Sequence, residues 1–208
     1  MDDKDFQATV REVLTNLKTI VKIPVGISNH HIHLTENDYK KLFPHEAIKV
    51  KKELNQPGEF ASEQMVTIKG PRGKIARVRI LGPFRSHSQV EVSLTDARKL
   101  GIKVPIRLSG NLDNTPGIDL ESEYGSLHLN DGVIVAKRHI HMSEKEAALL
   151  GVKKGDTVSV SVDNAERPIV FQNVEIRPGK NFKLEMHLDT DEANAGNISG
   201  KSFGKIIS

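Results

Sequence analysis

The spacing of apolar positions changes along the chain. Between residues 3 and 19, Phe6, Val10, Val13, Leu14 and Leu17, continued by Val21, recur at helical intervals among charged and amide side chains, which predicts an amphipathic helix. It stops before Lys22-Ile23-Pro24, because a residue preceding proline is pushed out of the helical region. From there the pattern turns to short runs of β-formers broken by turn residues. Residues 25–33 read as a strand, 35–43 as a helix stopped by Pro44, and 54–59 as a turn. Residues 65–69 and 74–80 read as strands joined at Gly70-Pro71-Arg72-Gly73. Strict alternation puts Lys74 and Ala76 on one face with Val78, and Ile75, Arg77 and Arg79 on the other. Residues 81–88 read as a loop and 89–93 as a strand. Residues 95–105 form a capped helical turn ending at Leu100-Gly101 and then a strand, much like 143–153. The stretch 109–125, with Pro116 and several glycines, reads as a loop that joins two halves. Residues 157–162, 169–177 and 181–188 read as strands, and the acidic stretch 189–195 as a helix start. Short strands with turn signals about every ten residues predict small β-barrels rather than a doubly wound sheet, so the expected class is mainly β with short helices (α+β).

One motif interrupts this pattern twice. Asn29-His30-His31-Ile32-His33-Leu34-Thr35-Glu36 returns as Arg138-His139-Ile140-His141-Met142-Ser143-Glu144. Each His-x-His step follows β-formers (Val25-Gly26-Ile27, Val133-Ile134-Val135) and precedes Thr or Ser with an acidic residue three positions on, Asp38 or Glu146, which is a helix N-cap signature. At the end of a strand the two imidazoles share a face about 6.6 Å apart and can converge on one ion. Five of the nine histidines lie in these two segments, which favours metal binding over polar decoration of an edge strand. Neutral imidazole and the absence of cysteine favour zinc.

Composition narrows the remaining choices. The 208 residues are enough for one large or two small domains, and the repeat favours two. No apolar run approaches the length of a membrane span. Without cysteine there is no disulfide framework and no thiol nucleophile, and the opening Met1-Asp2-Asp3-Lys4-Asp5 lacks the features of a secretory leader, so an intracellular protein is expected. A net charge of +3 suits a phosphate-bearing ligand, whereas 4% aromatic residues and no tryptophan argue against nucleic acid.

Two histidines are too few for a zinc site, so each pair needs a third ligand. Glu91 and His187 lie in apolar strand contexts where an unpartnered polar group is costly, and are the candidates; spacing does not say which pair each serves. One added ligand per pair makes two three-ligand centres with an open position, the catalytic arrangement. Arg85 follows Gly82-Pro83-Phe84 and precedes Glu91 by six residues, which can bring a phosphate-holding fork to the metal. Arg72, Lys74, Arg77 and Arg79 can line a phosphate path. His45, His87 and His128 carry no partner pattern.

Six stretches, Ser28-Asn29-His30-His31-Ile32-His33-Leu34, Leu81-Gly82-Pro83-Phe84-Arg85, Gln89-Val90-Glu91-Val92-Ser93, Ser109-Gly110-Asn111-Leu112, 132–142 and 185–195, together resemble the phosphate propanoyltransferases (phosphotransacylases) of propanediol-utilising bacterial microcompartments. The resemblance implies reversible transfer of a propanoyl group between CoA and inorganic phosphate, with two metal ions, usually zinc, lying between two related β-barrels. It implies a targeting helix and linker at 1–22, a first barrel from 23–30 and 137–208, and a second from 31–136. His31, His33 and Glu91 would hold one metal, and His139, His141 and His187 the other. Arg85 would hold phosphate and act in catalysis, and Ser28, Asn29, His30, Arg72, Arg79 and Asn194 would line the CoA site. His30 departs from the arginine common in the family. The partners implied are CoA or propanoyl-CoA, phosphate, and microcompartment shell or core proteins docked by the N-terminal helix, with no nucleic acid and no membrane; a homo-oligomer is compatible with the sequence. The implied location is the microcompartment lumen.

Two other readings compete. A zinc hydrolase of thioesters or phosphoesters would use the same centres with metal-bound water, and phosphate dependence separates it from the transferase. A non-catalytic assembly protein would bind CoA or shell components without turnover.

Overall fold

The computed structural model describes residues 3–163 and 166–207. Helix α1 (Asp3–Ile20) precedes β1 (Ile23–Ser28), β2 (His31–His33), α2 (Glu36–Leu42), β3 (Val50–Glu53), β4 (Phe60–Lys69), β5 (Lys74–Gly82), β6 (Gln89–Glu91), α3 (Leu94–Leu100), β7 (Ile106–Arg107), β8 (Ile118–Glu121) and β9 (Ser126–Leu129). There follow β10 (Val133–Ala136), β11 (His139–Met142), α4 (Glu144–Leu149), β12 (Thr157–Val162), β13 (Ile169–Pro178), β14 (Glu185–Asp189), α5 (Thr190–Ala195) and β15 (Phe203–Ile206). The class is mainly β with short helices. No helix among the described residues is long and apolar enough to cross a membrane.

The chain divides into two units, Met1–Ile27 with Arg138–Ser208, and Ser28–Lys137. The first is a closed six-stranded barrel in the order β1-β14-β11-β13-β12-β15. The second is a nine-stranded sheet, β7-β10-β6-β2-β5-β4-β8-β9, with β3 paired to β4. Each encloses its own apolar cluster. Ile32, Leu34, Ile68, Val78, Ile80, Val90, Leu100 and Leu120 anchor the second; Ile23, Ile140, Met142, Val160, Val174, Ile176, Met186, Leu188 and Ile206 anchor the first.

Both units repeat one strand plan. The His-x-His strand (β2 or β11) lies parallel to the second strand of a hairpin (β5 or β13) and antiparallel to a strand that runs into a capped helix (β6 into α3, β14 into α5). In each, the strand preceding the His-x-His strand belongs to the other unit: β1 lies beside β14 in the barrel, and β10 lies parallel to β6 in the sheet.

Several boundaries differ from those the pattern predicts. Residues 25–33 are two strands. Asn29 breaks them, because its side-chain Oδ1 accepts the His30 N–H at 2.8 Å and its carbonyl sits 2.8 Å from His31 Nδ1, taking polar groups away from a ladder. The same break falls between β10 and β11, so each His-x-His step is a short strand of its own. Ile75 and Val78 both face the core, three residues apart: the register of β4 and β5 shifts between Val66 and Ile68, and Arg77 takes φ 62°. The stretch 109–125 does not join the halves; it contains β8 and lies within one unit, and the chain crosses at 27/28 and 137/138. Helix α3 is capped by Ser93 rather than Thr95. Its counterpart in the strand plan is α5, not the helix within 143–153.

Along α1, Phe6, Val13 and Ile20 recur every seven residues and are 49%, 51% and 68% exposed. Val21, just beyond the helix, packs on the barrel core, and Leu14 lies against Gly151.

Candidate metal and anion site

In β2 and β11 alternation sends the central isoleucine into the core and both histidines to the opposite face. Ile32 and Ile140 are 0% exposed, and His31, His33, His139 and His141 are all buried. The antiparallel neighbour then fixes the third group by register: His31 pairs with Glu91, and His139 with His187. The result is two triads, His31/His33/Glu91 and His139/His141/His187, each offering one ligand atom per residue within 4.8 Å of the other two.

Beyond both third residues the spacing is identical. Two positions after Glu91 and His187 stand the N-caps Ser93 and Asp189, and three further on stand Asp96 and Glu192, each closing a capping box. These carboxylates also hold the residue that precedes each His-x-His step. His30 Nδ1 lies 3.1 Å from Asp96 Oδ2, and Arg138 Nη1 donates to Glu192 Oε1 at 2.7 Å. The hydrogen bond from His30 holds Asp96 below the ordinary carboxylate range, while burial pushes Glu192 up against the pull of Arg138.

The donor atoms suit a divalent ion. His33 Nδ1, His141 Nδ1 and His187 Nε2 are buried with no hydrogen-bond partner, an arrangement that costs energy unless something else takes the lone pair. His187 Nε2 sits 3.3 Å from Glu185 Oε2 without hydrogen-bond geometry. Burial, then the neighbouring His31 and Arg85, push His33 well below its usual value, opposed by the Leu81 backbone. Burial, His187 and Arg177 bring His141 down to about 3 against Glu185. Both rings are therefore neutral and able to ligate at physiological pH. His31 Nδ1 faces the Asn29 carbonyl, which leaves Nε2 to turn toward Glu91 Oε2, 3.4 Å away. Imidazole and carboxylate without thiolate are donors that a divalent ion accepts.

Arg85 connects to the first triad through Ser109 and Gln89. Its backbone N–H donates to Leu34 O, its Nη1 donates to Ser109 Oγ at 2.9 Å, and its Nη2 lies 3.6 Å from Glu59 Oε1. Burial lowers its pKa and the charges of Glu91 and Glu59 oppose that fall, a balance that fits a guanidinium held to meet an anion. Arg79 is in register with His31 across β5, but its Nη1 donates to the Ser62 carbonyl at 2.7 Å. Arg72 lies in the β4–β5 turn, its stem over Gly101, seven residues before Arg79 in the sequence. Ser28 ends β1, Asn29 is exposed at the strand break, and Asn194 is exposed on α5.

Three participants escape pattern reading. Gln89 bridges Glu91 and Ser109, Ser109 receives Arg85, and Phe182 packs on His141 with ring centroids 4.3 Å apart. The spacing of residues 90–97, set against 186–193, contains the third ligands and both capping boxes at matched positions. Aligning those two octets is the signal that pairs each ligand with its histidines.

The fold and its duplicated triad define a mainly β protein with two three-residue groups that could each hold a divalent ion. Comparison with known proteins identifies the family. A family described as phosphate propanoyltransferase matches residues 24–199. The phosphate propanoyltransferase of Salmonella arizonae is 53% identical over 208 residues, covering 100% of this chain and 99% of the relative. Those of Salmonella typhimurium and Levilactobacillus brevis are 52% identical over 208 residues and 50% over 207, with the same coverage. The chain belongs to the phosphate propanoyltransferase family, a family of acyltransferases.

A pH test follows from His141. Its folded pKa near 3 lies below the unfolded value near 6.5, so the unfolded chain takes up the proton first and stability falls as pH drops from 6.5 toward 3. Urea unfolding of chelator-treated protein should lose a few kcal/mol at most over that range from this ring. The His141→Gln variant should lose measurably less; an unchanged pH dependence contradicts the assignment.

Proposed function

We propose that the chain catalyses propanoyl-CoA + phosphate ⇌ propanoyl phosphate + CoA, as a step of 1,2-propanediol degradation. The observation that carries this reading is Arg85 hydrogen-bonded through Ser109 and Gln89 to Glu91 of the His31/His33/Glu91 triad, in a chain about half identical to phosphate propanoyltransferases over its full length. Zinc is the metal the donor set favours, with His31, His33 and Glu91 holding one ion and His139, His141 and His187 another. When bound it supplies Lewis-acid polarisation of the thioester carbonyl and charge stabilisation for the oxyanion.

The chain's own groups do the rest. Arg85 holds phosphate through its remaining N–H donors, with Ser109 fixing the guanidinium. A phosphate oxygen attacks the carbonyl carbon, the carbon–sulfur bond breaks, and CoA leaves as the thiolate. The chain has no cysteine, so no acyl-cysteine forms. Ser28, Asn29, His30, Arg72, Arg79 and Asn194 are the proposed CoA contacts. His30 is held by Asp96, and Asn29 and Asn194 are exposed.

The helix α1 is the proposed docking element for microcompartment shell or core proteins, which places the enzyme in the lumen. Its stripe Phe6, Val13 and Ile20 supports this, since exposed apolar positions at sevenfold spacing suit a partner groove.

CoA release from propanoyl-CoA should require both zinc and phosphate. Release by metal-loaded protein without phosphate would establish hydrolysis instead, and no release under any condition would leave a binding role. Arg85→Ala should cut phosphate-dependent turnover by about a hundredfold or more with metal content unchanged; loss of the metal as well would contradict the role given to Arg85. Deleting residues 1–19 should spare turnover and abolish co-purification with microcompartments, and an inactive or insoluble product would show that α1 belongs to the barrel.

A further inference from the structure

Gln89 lies in β6 two residues before Glu91, on the same face, and is 1% exposed. All three of its side-chain contacts are short. Nε2 donates to Glu91 Oε1 at 2.6 Å and to Ser109 Oγ at 2.8 Å, and Oε1 accepts the Gly110 N–H at 2.8 Å. Both amide protons and one carbonyl lone pair are thus committed. Ser109 Oγ in turn accepts from Arg85 Nη1 at 2.9 Å. One buried amide therefore ties a carboxylate of the first triad to the loop that seats the arginine. An amide does this without adding charge, whereas a buried acid there would repel Glu91 and a base would compete with the ion for it.

The strand plan supplies an independent comparison. Glu185 occupies the matching position, two residues before His187, in register with His141 as Gln89 is with His33. Its Oε2 lies 3.3 Å from His187 Nε2, and a Cβ on Gly26 in the neighbouring β1 would sit 2.9 Å from Glu185 Oε1, so the barrel leaves room for that carboxylate. Where the third group is a carboxylate, the side chain two residues before it is an amide that donates to it; where it is an imidazole, the side chain at that position is an acid that lies near it without a hydrogen bond.

We infer that Gln89 is a positioning residue that couples the metal-holding carboxylate Glu91 to the phosphate-holding Arg85, so that the two groups are set as one unit. The inference rests on the reaction proposed above. Glu91 keeps its other oxygen, Oε2, turned toward His31, and Arg85 keeps the donors not given to Ser109 for phosphate.

The test uses Gln89→Met in the full chain, which keeps the length of the side chain and removes its hydrogen bonds. Chelator-stripped protein is titrated with Zn²⁺ by calorimetry, and steady-state constants for phosphate and propanoyl-CoA are measured on the zinc-loaded form. The expected result is a roughly 10- to 100-fold loss of affinity in one of the two zinc-binding steps, the range found when a group supporting a metal ligand is removed. The KM for phosphate should rise about tenfold while that for propanoyl-CoA stays within about twofold. Gln89→Glu, which keeps a polar group but adds charge beside Glu91, should do no better. Unchanged zinc affinity overturns the inference, as does an equal rise in both KM values, which would mark a general loss of packing. If the parent enzyme itself shows no phosphate-dependent CoA release, the proposed reaction fails, and the zinc titration still decides whether Gln89 positions Glu91.

Discussion

The whole arrangement depends on strand register. An imidazole pair on a strand end converges on an ion only if the neighbouring strand brings a third donor level with it. A slip of one residue would turn every side chain of that strand to the opposite face. The pairings His31 with Glu91 and His139 with His187 meet that requirement twice. What holds the register is apolar. Ile32 and Ile140 are 0% exposed between their histidines, and Val90 and Met186, also 0% exposed, sit opposite them. Burying each such side chain contributes about 1.5–3 kcal/mol, which a slipped strand would forfeit. The core thus sets the chemistry on the opposite face of the same strands.

Capping reinforces this from the helix side. The strand that carries Glu91 or His187 runs within two residues into an N-cap, and the third helical residue of each cap also reaches the residue before the His-x-His step. One carboxylate thereby satisfies helix donors and tethers the strand break that starts the ligand strand. The two versions use different chemistry, His30 with Asp96 and Arg138 with Glu192, on the same geometry. The family resemblance leads one to expect arginine at position 30, and the second repeat carries arginine at the matching position 138.

How much of this the sequence reveals follows from how local each interaction is. The His-x-His steps and the caps after them are legible because their chemistry lies within eight residues. The mainly β class is legible because alternation and turn residues are local too. Glu91 and His187 are legible as candidates from their apolar strand contexts, but which histidine pair each serves is not, because the partner of His31 lies 60 positions on and that of His139 lies 48, distances set by strand pairing. The β8 strand, Ile118-Asp119-Leu120-Glu121, alternates cleanly between buried and exposed, yet Pro116 and the surrounding glycines disguise it as loop. The β15 strand closes the barrel although Gly204 interrupts its apolar pattern, because Val160 fills the space a side chain there would need. The face assignment of β5 fails at Arg77, whose left-handed backbone shifts the alternation by one. Gln89 and Ser109 are polar residues whose roles exist only in three dimensions.

The account stands or falls on two independent three-ligand centres in one chain. The measurement that tests this most directly is zinc content per chain, by elemental analysis after reconstitution and desalting, for the parent, His31→Ala, His139→Ala and the double variant. Two ions in the parent, one in each single variant and none in the double variant is the predicted result. A parent that retains a single ion, or single variants that retain two, would contradict it.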